Sequence, residues 1–400
     1  MTATVRRRAP VLRSSRNLAR VAALFALTFL VVLPLSCRHL RYSHYSDSGG
    51  HVAQAQDEAQ AREDALDAER ARRFLRRIAT EDDVPRRRRH HGNGTRGEGP
   101  GDLAVAVVSV RRQEPYLSRV VARLLALLRA CGPACERHRL LVCNVQAVPE
   151  DHVEAGEISA LVHTVARFSE SDPDAGKPPA HSRFEKEKRD YTWCLRRAAT
   201  MTAGGDGGAV VLLEDDALPA DDFFPVLHHL LGERRAASLR LRRALYVKLF
   251  HPERLQGYLN PEPMRILEWV GAGGLCGLVL TAVYLRLART PFRWRLVAAL
   301  ALYAMLCVEM VGRHYFLELR RASPHFYALA PATECCTPAM AFPSAAAALA
   351  VAELLDTEQC APKYGKDMAL YAAMHRAEHG ALVLEPNLVR HIGRYSSLRS

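Results

Sequence analysis

Three apolar runs constrain this chain more than any other feature. Residues 21–35, 266–287 and 296–311 carry almost no charge, and a helix rising about 1.5 Å per residue crosses a bilayer core in about 20 residues. Arg6, Arg7, Arg8, Arg13, Arg16 and Arg20 all precede the first run. Pro34 before Leu35 and Ser36 suits signal cleavage poorly, so the run reads as an uncleaved signal anchor with a cytosolic N-terminus. The two inner runs are joined by a short connector holding Arg286, Arg289, Arg293 and Arg295, which the positive-inside rule keeps cytosolic. Residues 40–262 and 314–400 then share the non-cytosolic side. The competing reading makes the inner runs core helices of a soluble domain; the last run is short and must recruit Phe292 or Trp294 at its edge.

Within the hairpin, Glu268 and Glu309 fall near the same non-cytosolic mouth, where snorkelling is expected to spare them the hydrocarbon. Gly273 and Gly277 form a small-x-x-x-small pair that would let two helices approach closely.

The polar blocks hold enough apolar residues for a core, since the chain is 49% hydrophobic and 24% charged; collagen, coiled coil and mini-protein are excluded. The net charge of +12 raises nucleic acid as a partner, but the basic run at residues 86–89 has no interleaved aromatic residues for stacking, so no nucleic-acid role is expected. Residues 41–100 carry few large apolar groups and read as a solvated stem. The arginine run resembles a convertase cleavage site, and Asn93-Gly-Thr95 is a glycan sequon in an oxidising compartment. Seven of the ten cysteines lie in the polar blocks. Disulfides are expected there, including for the Cys131-Gly-Pro-Ala-Cys135 knuckle, which has no second pair at zinc spacing. Connectivity stays open.

From Leu103 the pattern alternates strand and helix: strands at 103–110, 139–145, 209–213, 244–250 and 381–385, helices at 116–130, 183–201, 221–231 and 368–376. This alternation predicts an α/β fold with a mostly parallel sheet covered by helices on both faces. The strand at 209–213 ends in Glu214-Asp215-Asp216. Ligands gather outside the carboxyl ends of such strands, and three successive carboxylates there suit a hard divalent cation that also grips a diphosphate, against the plainer reading of a solvated acidic turn.

With that motif at the end of a strand, the chain resembles the nucleotide-sugar glycosyltransferases of the GT-A fold, and within them the transferases that place a GalNAc branch on glycosylphosphatidylinositol (GPI) anchors. The likeness is carried by Phe184-Glu-Lys-Glu-Lys-Arg-Asp-Tyr191, Tyr246-Val-Lys-Leu-Phe-His-Pro-Glu-Arg-Leu255, Asn260-Pro-Glu-Pro-Met-Arg-Ile-Leu-Glu-Trp-Val270, Gly312-Arg-His-Tyr-Phe-Leu-Glu-Leu-Arg-Arg321, Cys335-Cys-Thr-Pro-Ala-Met340, Gly365-Lys-Asp-Met-Ala-Leu-Tyr371 and Glu385-Pro-Asn-Leu-Val-Arg-His-Ile-Gly393. It departs in the stem and at Arg111, where an acidic residue is expected.

The resemblance implies a Golgi membrane enzyme: cytosolic tail 1–20, anchor 21–37, lumenal stem 38–100, catalytic domain 101–264 and 313–400, and hairpin 265–312. It implies UDP-GalNAc as donor, Mn²⁺, a β1,4 linkage to the first mannose of the GPI glycan, and GPI-anchored proteins and membrane lipids as partners. It implies that Asp216 holds the metal and that His391 holds the metal or the donor phosphate, against the plainer reading of a satisfied polar group, that Arg112, Lys188, Glu214, Asp215 and Lys248 face the donor, and that Asp367 is the base. The physics of that last role stands by itself: an α-linked donor giving a β product needs in-line attack by a hydroxyl whose proton a carboxylate removes. The plainer readings are that Asp367 is only a helix N-terminal acid and Lys248 only an exposed strand end. A lectin-like or scaffold protein that binds GPI-anchored cargo remains the alternative. A two-metal phosphodiesterase lacks its second His/Asp cluster.

Overall fold

The computed structural model describes residues 19–46, 51–80, 101–168, 179–202, 208–259, 263–289 and 291–393. The arginine run at 86–89 and Asn93 lie outside the described residues. The chain divides into two compact units, residues 1–61 with 253–319 and residues 62–252 with 320–400.

Among the described residues of the smaller unit, three helices are long and apolar enough to cross a membrane: α1 (Ala19–Cys37), then α6 (Pro263–Ala288) and α7 (Trp294–Val311). The glycine pair does what its spacing predicts. A Cβ on Gly277 would lie 2.7 Å from the Ala301 backbone and one on Gly273 2.2 Å from Met305, so only glycine permits this approach of α6 to α7. Both acidic residues of the hairpin are held by protein groups. Arg313 is 1% exposed and its Nη2 pairs with Glu268 Oε2 at 2.7 Å, while the Tyr258 hydroxyl donates to Glu268 Oε1 at 3.2 Å. Glu309 Oε2 accepts the Tyr258 N–H at 3.1 Å. Each carboxylate meets protein groups, with Glu309 buried and Glu268 half-buried, and such partners lower the cost of a charge held away from water.

The larger unit is built on strands β1 (Leu103–Ser109), β2 (His138–Asn144), β3 (His163–Ala166), β4 (Ala209–Glu214), β5 (Ala217–Pro219), β6 (Ala244–Lys248), β7 (Ala328–Pro331), β8 (Ala339–Phe342), β9 (Gly380–Glu385) and β10 (Val389–His391). Eight form one sheet in the order β3-β2-β1-β4-β8-β6-β9-β7, and β5 and β10 form a separate ribbon. β1 runs parallel to β2 and to β4, β2 to β3 and β6 to β9. β8 is antiparallel to both its neighbours, as is β7 to β9. The sheet is mostly parallel, as the alternation predicts. β1 and β4 are buried almost throughout, which is why they read as unbroken apolar runs rather than alternating ones.

One core layer packs α3 (Tyr116–Cys131) and α5 (Phe223–His229) on the sheet; the other packs α4 (Arg183–Thr200), α8 (Ala345–Asp356) and α9 (Lys366–Arg376) on the opposite face. Ser182 and Ser344 cap α4 and α8, accepting the N–H groups of Glu185 and Ala347, which satisfies amides that a helix N-terminus leaves without partners. The expected stem differs. Residues 51–80 form helix α2 (His51–Thr80), whose Ala71, Leu75 and Ile78 join the first core layer, and Asp64 pairs with the buried Arg119 at 2.9 Å. Apolar residues too few for a core of their own still supply a helical stripe at i, i+4 and i+7 to an existing one.

Of the seven cysteines in the polar blocks, six pair: Cys131–Cys135, Cys143–Cys194 and Cys335–Cys336. Cys360 is a buried free thiol.

Candidate functional site

The strand order reverses at β1, with β2 on one side and β4 on the other. At such a reversal the following loops diverge and leave a crevice beyond the carboxyl ends. Ser109 ends β1 and Glu214 ends β4. A cleft of about 490 Å³ opens there, lined by Arg112, Glu214, Asp215, Asp216 and His391 among others. Five of the eight residues expected at the site therefore share one cavity.

The acidic residues are not a solvated turn. Asp215 is 1% exposed and Asp216 2%, and each is held by the loop after β1. Asp215 Oδ2 accepts from Ser109 Oγ at 3.0 Å and from the Val110 N–H at 3.4 Å, while Oδ1 pairs with Arg112 Nη2 at 2.8 Å. Ser109 Oγ is in turn 2.7 Å from His152 Nε2. Arg112 Nη1 reaches Asp216 Oδ2 at 3.3 Å. One guanidinium thus braces two adjacent carboxylates, a geometry that its planar fork suits. Burial pushes the Asp215 carboxyl up to about 7 against the pull of Arg112.

The β5–β10 ribbon completes the site. It sets His391 opposite Ala217, and the Ile392 N–H donates to the Asp216 carbonyl at 2.9 Å. His391 Nε2 lies 3.4 Å from Asp216 Oδ2. Burial opposes charge on both partners, yet their attraction wins: the Asp216 carboxyl is held below its ordinary range and the His391 imidazole above its own. Gly393 follows, where a Cβ would stand 2.1 Å from Asp216 Oδ2.

Whether this pocket suits a divalent cation can be tested on Asp216. Its Oδ1 is buried and has no hydrogen-bond partner among the described residues, an expensive arrangement for a carboxylate oxygen unless a cation completes it. Carboxylate and imidazole are donors that Mn²⁺ accepts. The residues present fit the metal.

Below these groups lies a charged trio that sequence reasoning missed. Lys366 Nζ, at the start of α9, pairs with Glu214 Oε1 at 2.6 Å and with Glu187 Oε1 of α4. Burial opposes the ammonium, but the two carboxylates hold its pKa well above the usual lysine value. Burial also raises the Glu187 carboxyl in spite of Lys366. The signal was present in the strings around Glu187 and Lys366, but nothing local says that residues 179 positions apart meet.

Three expected residues sit elsewhere. Lys188 is 3% exposed and is spent on Glu185 Oε1 at 3.0 Å and the Glu358 carbonyl; it is one helical position past Glu187, which turns it away from the cleft. Lys248 is neither an exposed strand end nor a cleft residue. It is 1% exposed, and its Nζ donates to the carbonyls of Thr333 at 2.6 Å and Cys335 at 2.9 Å. Asp367 follows the cleft residue Lys366 directly but is not part of the cleft lining. Its Oδ2 accepts the Cys336 N–H at 3.2 Å and its Oδ1 the Met368 N–H at 3.0 Å.

The crevice at this topological switch thus brings together a braced acidic pair and an imidazole. Compared with known protein families, residues 103–390 match the family described as GPI-N-acetylgalactosamine transferase PGAP4.

Proposed function

Because the chain belongs to the GPI-N-acetylgalactosamine transferase family, we propose that it transfers GalNAc from UDP-GalNAc, with inversion, to form a β1,4 linkage to the first mannose of the GPI glycan on proteins. The observation that supports a metal-assisted nucleotide-sugar reaction is the bare Asp216 Oδ1 beside His391 in the cleft.

In this reading Asp216 and His391 hold Mn²⁺, which when bound neutralises the charge developing on the departing diphosphate. Asp215 does not touch the donor itself; engaged by Ser109, Val110 and Arg112, it fixes the guanidinium that faces the phosphates. Pre-set dipoles and charges of this kind need no reorganisation during reaction. Glu214, restrained by Lys366, accepts hydrogen bonds from donor hydroxyls. Asp367, which adjoins the cleft residue Lys366 though it lies outside the cleft lining itself, removes the proton from the attacking mannose hydroxyl. The new oxygen–carbon bond forms on the face opposite the one from which UDP departs, so an α-linked donor gives a β product.

The three apolar helices support a reaction at a membrane, and we assign it to the Golgi, with a cytosolic N-terminus and the catalytic unit in the lumen. An assay of the detergent-solubilised full chain against a panel of UDP-sugars, with and without Mn²⁺, tests the reading. Transfer from UDP-GalNAc that vanishes on chelation is expected. Tight binding of a GPI glycan with no donor turnover would favour the lectin-like alternative.

A further inference from the structure

Asp367 rests against two neighbouring cysteines that the mechanism so far leaves unused. Cys335 and Cys336 are joined to each other by a disulfide, in the loop between β7 and β8. Cys336 has φ of 72°, a left-handed conformation that residues with a side chain adopt rarely and at a cost. Such a conformation persists only where the surroundings fix it, and here two features do. The side-chain bond closes a small ring around the peptide that the two cysteines share, and Lys248, buried at the end of β6, donates to the carbonyls of Thr333 and Cys335. The N–H of that shared peptide is the group that donates to Asp367 Oδ2 at 3.2 Å. The Met368 N–H meets the other oxygen at 3.0 Å, so both oxygens of the carboxylate are fixed by backbone amides.

We infer that the Cys335–Cys336 disulfide, clamped by Lys248, is a positioning device for Asp367: it holds the Cys336 N–H against the carboxylate, so that the base meets the acceptor hydroxyl in a single orientation. The inference rests on Asp367 as the proton acceptor. It also gives Lys248 and the cysteine pair a common purpose. A loop of ordinary residues at 332–338 would let the amide wander, and a misplacement of about 1 Å at a reacting group is enough to cost about 100-fold in rate.

The test uses the full-length, detergent-solubilised enzyme with UDP-GalNAc and a soluble mannose-containing acceptor. Replacing both cysteines, Cys335→Ser with Cys336→Ser, is expected to lower kcat about 10- to 100-fold while leaving the KM for UDP-GalNAc within about twofold, since ground-state donor binding does not involve the base. In an Asp367→Asn background the same double replacement should cost nothing further, because two groups acting through one contact are not additive. Losses that multiply, or a serine variant with wild-type kcat, overturn the inference. Failure of the underlying reading looks different: an Asp367→Asn enzyme with full turnover removes the base and the positioning device together, whereas an inactive Asp367→Asn enzyme beside a fully active serine variant removes the device alone. Should the serine variant not fold, the native chain decides the matter. Proteolysed without reductant, it must yield the peptide carrying Cys335 and Cys336 in its oxidised form, and recovery of both as free, alkylatable thiols refutes the proposal.

Discussion

Gly393→Ala is the sharpest single perturbation the site offers. It adds one methyl group and no charge, on a residue that does not itself bind anything. The new Cβ would stand 2.1 Å from Asp216 Oδ2 and 2.9 Å from its Cγ, where ordinary contact begins near 3.4 Å. The shortfall is about 1.3 Å, and Asp216 cannot retreat freely because Arg112 and His391 hold the same oxygen. The carboxylate must rotate off its preferred rotamer, at roughly 0.5–1.5 kcal/mol, or the end of β10 must shift, at an overpacking cost of about 1–3 kcal/mol. Either way the ligand oxygens move by several times the roughly 0.2 Å tolerance of a metal–ligand bond. A shift in what supports a metal ligand typically weakens metal binding about 10- to 100-fold. The expected result is a Mn²⁺ activation midpoint raised by that factor, with activity recovered at high Mn²⁺ and a melting temperature lowered by a few degrees per kcal/mol of that cost. The assay is GalNAc transfer titrated with Mn²⁺ after chelation. An alanine variant with the wild-type midpoint would show that Asp216 and His391 are not the metal site.

Asp216→Asn should abolish transfer at any Mn²⁺ concentration while the chain still expresses and inserts; because the side chain is buried and braced, the isosteric amide is the fair test, and turnover comparable to wild type would discard the assignment. His152, hydrogen-bonded to Ser109, has its pKa lowered to about 4, chiefly by burial and then by Arg111. The unfolded chain therefore binds the extra proton first, and stability present at neutral pH is lost as pH falls from about 6.5 toward 4, by about 2 kcal/mol at pH 5. Thermal melts of wild type and His152→Gln at pH 7.5 and 5 should diverge less for the variant, and parallel curves would exclude the histidine as the cause. Replacing residues 266–311 with a short soluble linker should preserve donor hydrolysis but suppress transfer to membrane-embedded GPI far more than to a soluble mannose fragment, because a tethered acceptor depends on effective concentration at the bilayer; equal loss on both acceptors would leave the hairpin with anchoring alone.

Much of this protein is decided by local chemistry and is therefore legible along the chain. Length and apolarity make helices at 266–287 and 296–311, glycine spacing sets their close approach, and an unbroken apolar strand delivers Glu214, Asp215 and Asp216 to the end of the sheet. None of these depends on a distant partner. The stem misled because a sparse stripe such as Ala71, Leu75 and Ile78 has no meaning until a core exists for it to cover. The roles of Lys188 and Lys248 were set in the same way, by which face of α4 or which end of β6 became buried. What only tertiary structure decided is how residues far apart in sequence share their charges: His391 on Asp216 through the β5–β10 ribbon, Lys366 between Glu187 and Glu214, Arg313 on Glu268. Sequence supplies the donors and acceptors, but burial determines which must find a partner, and the fold alone determines which partner is within reach.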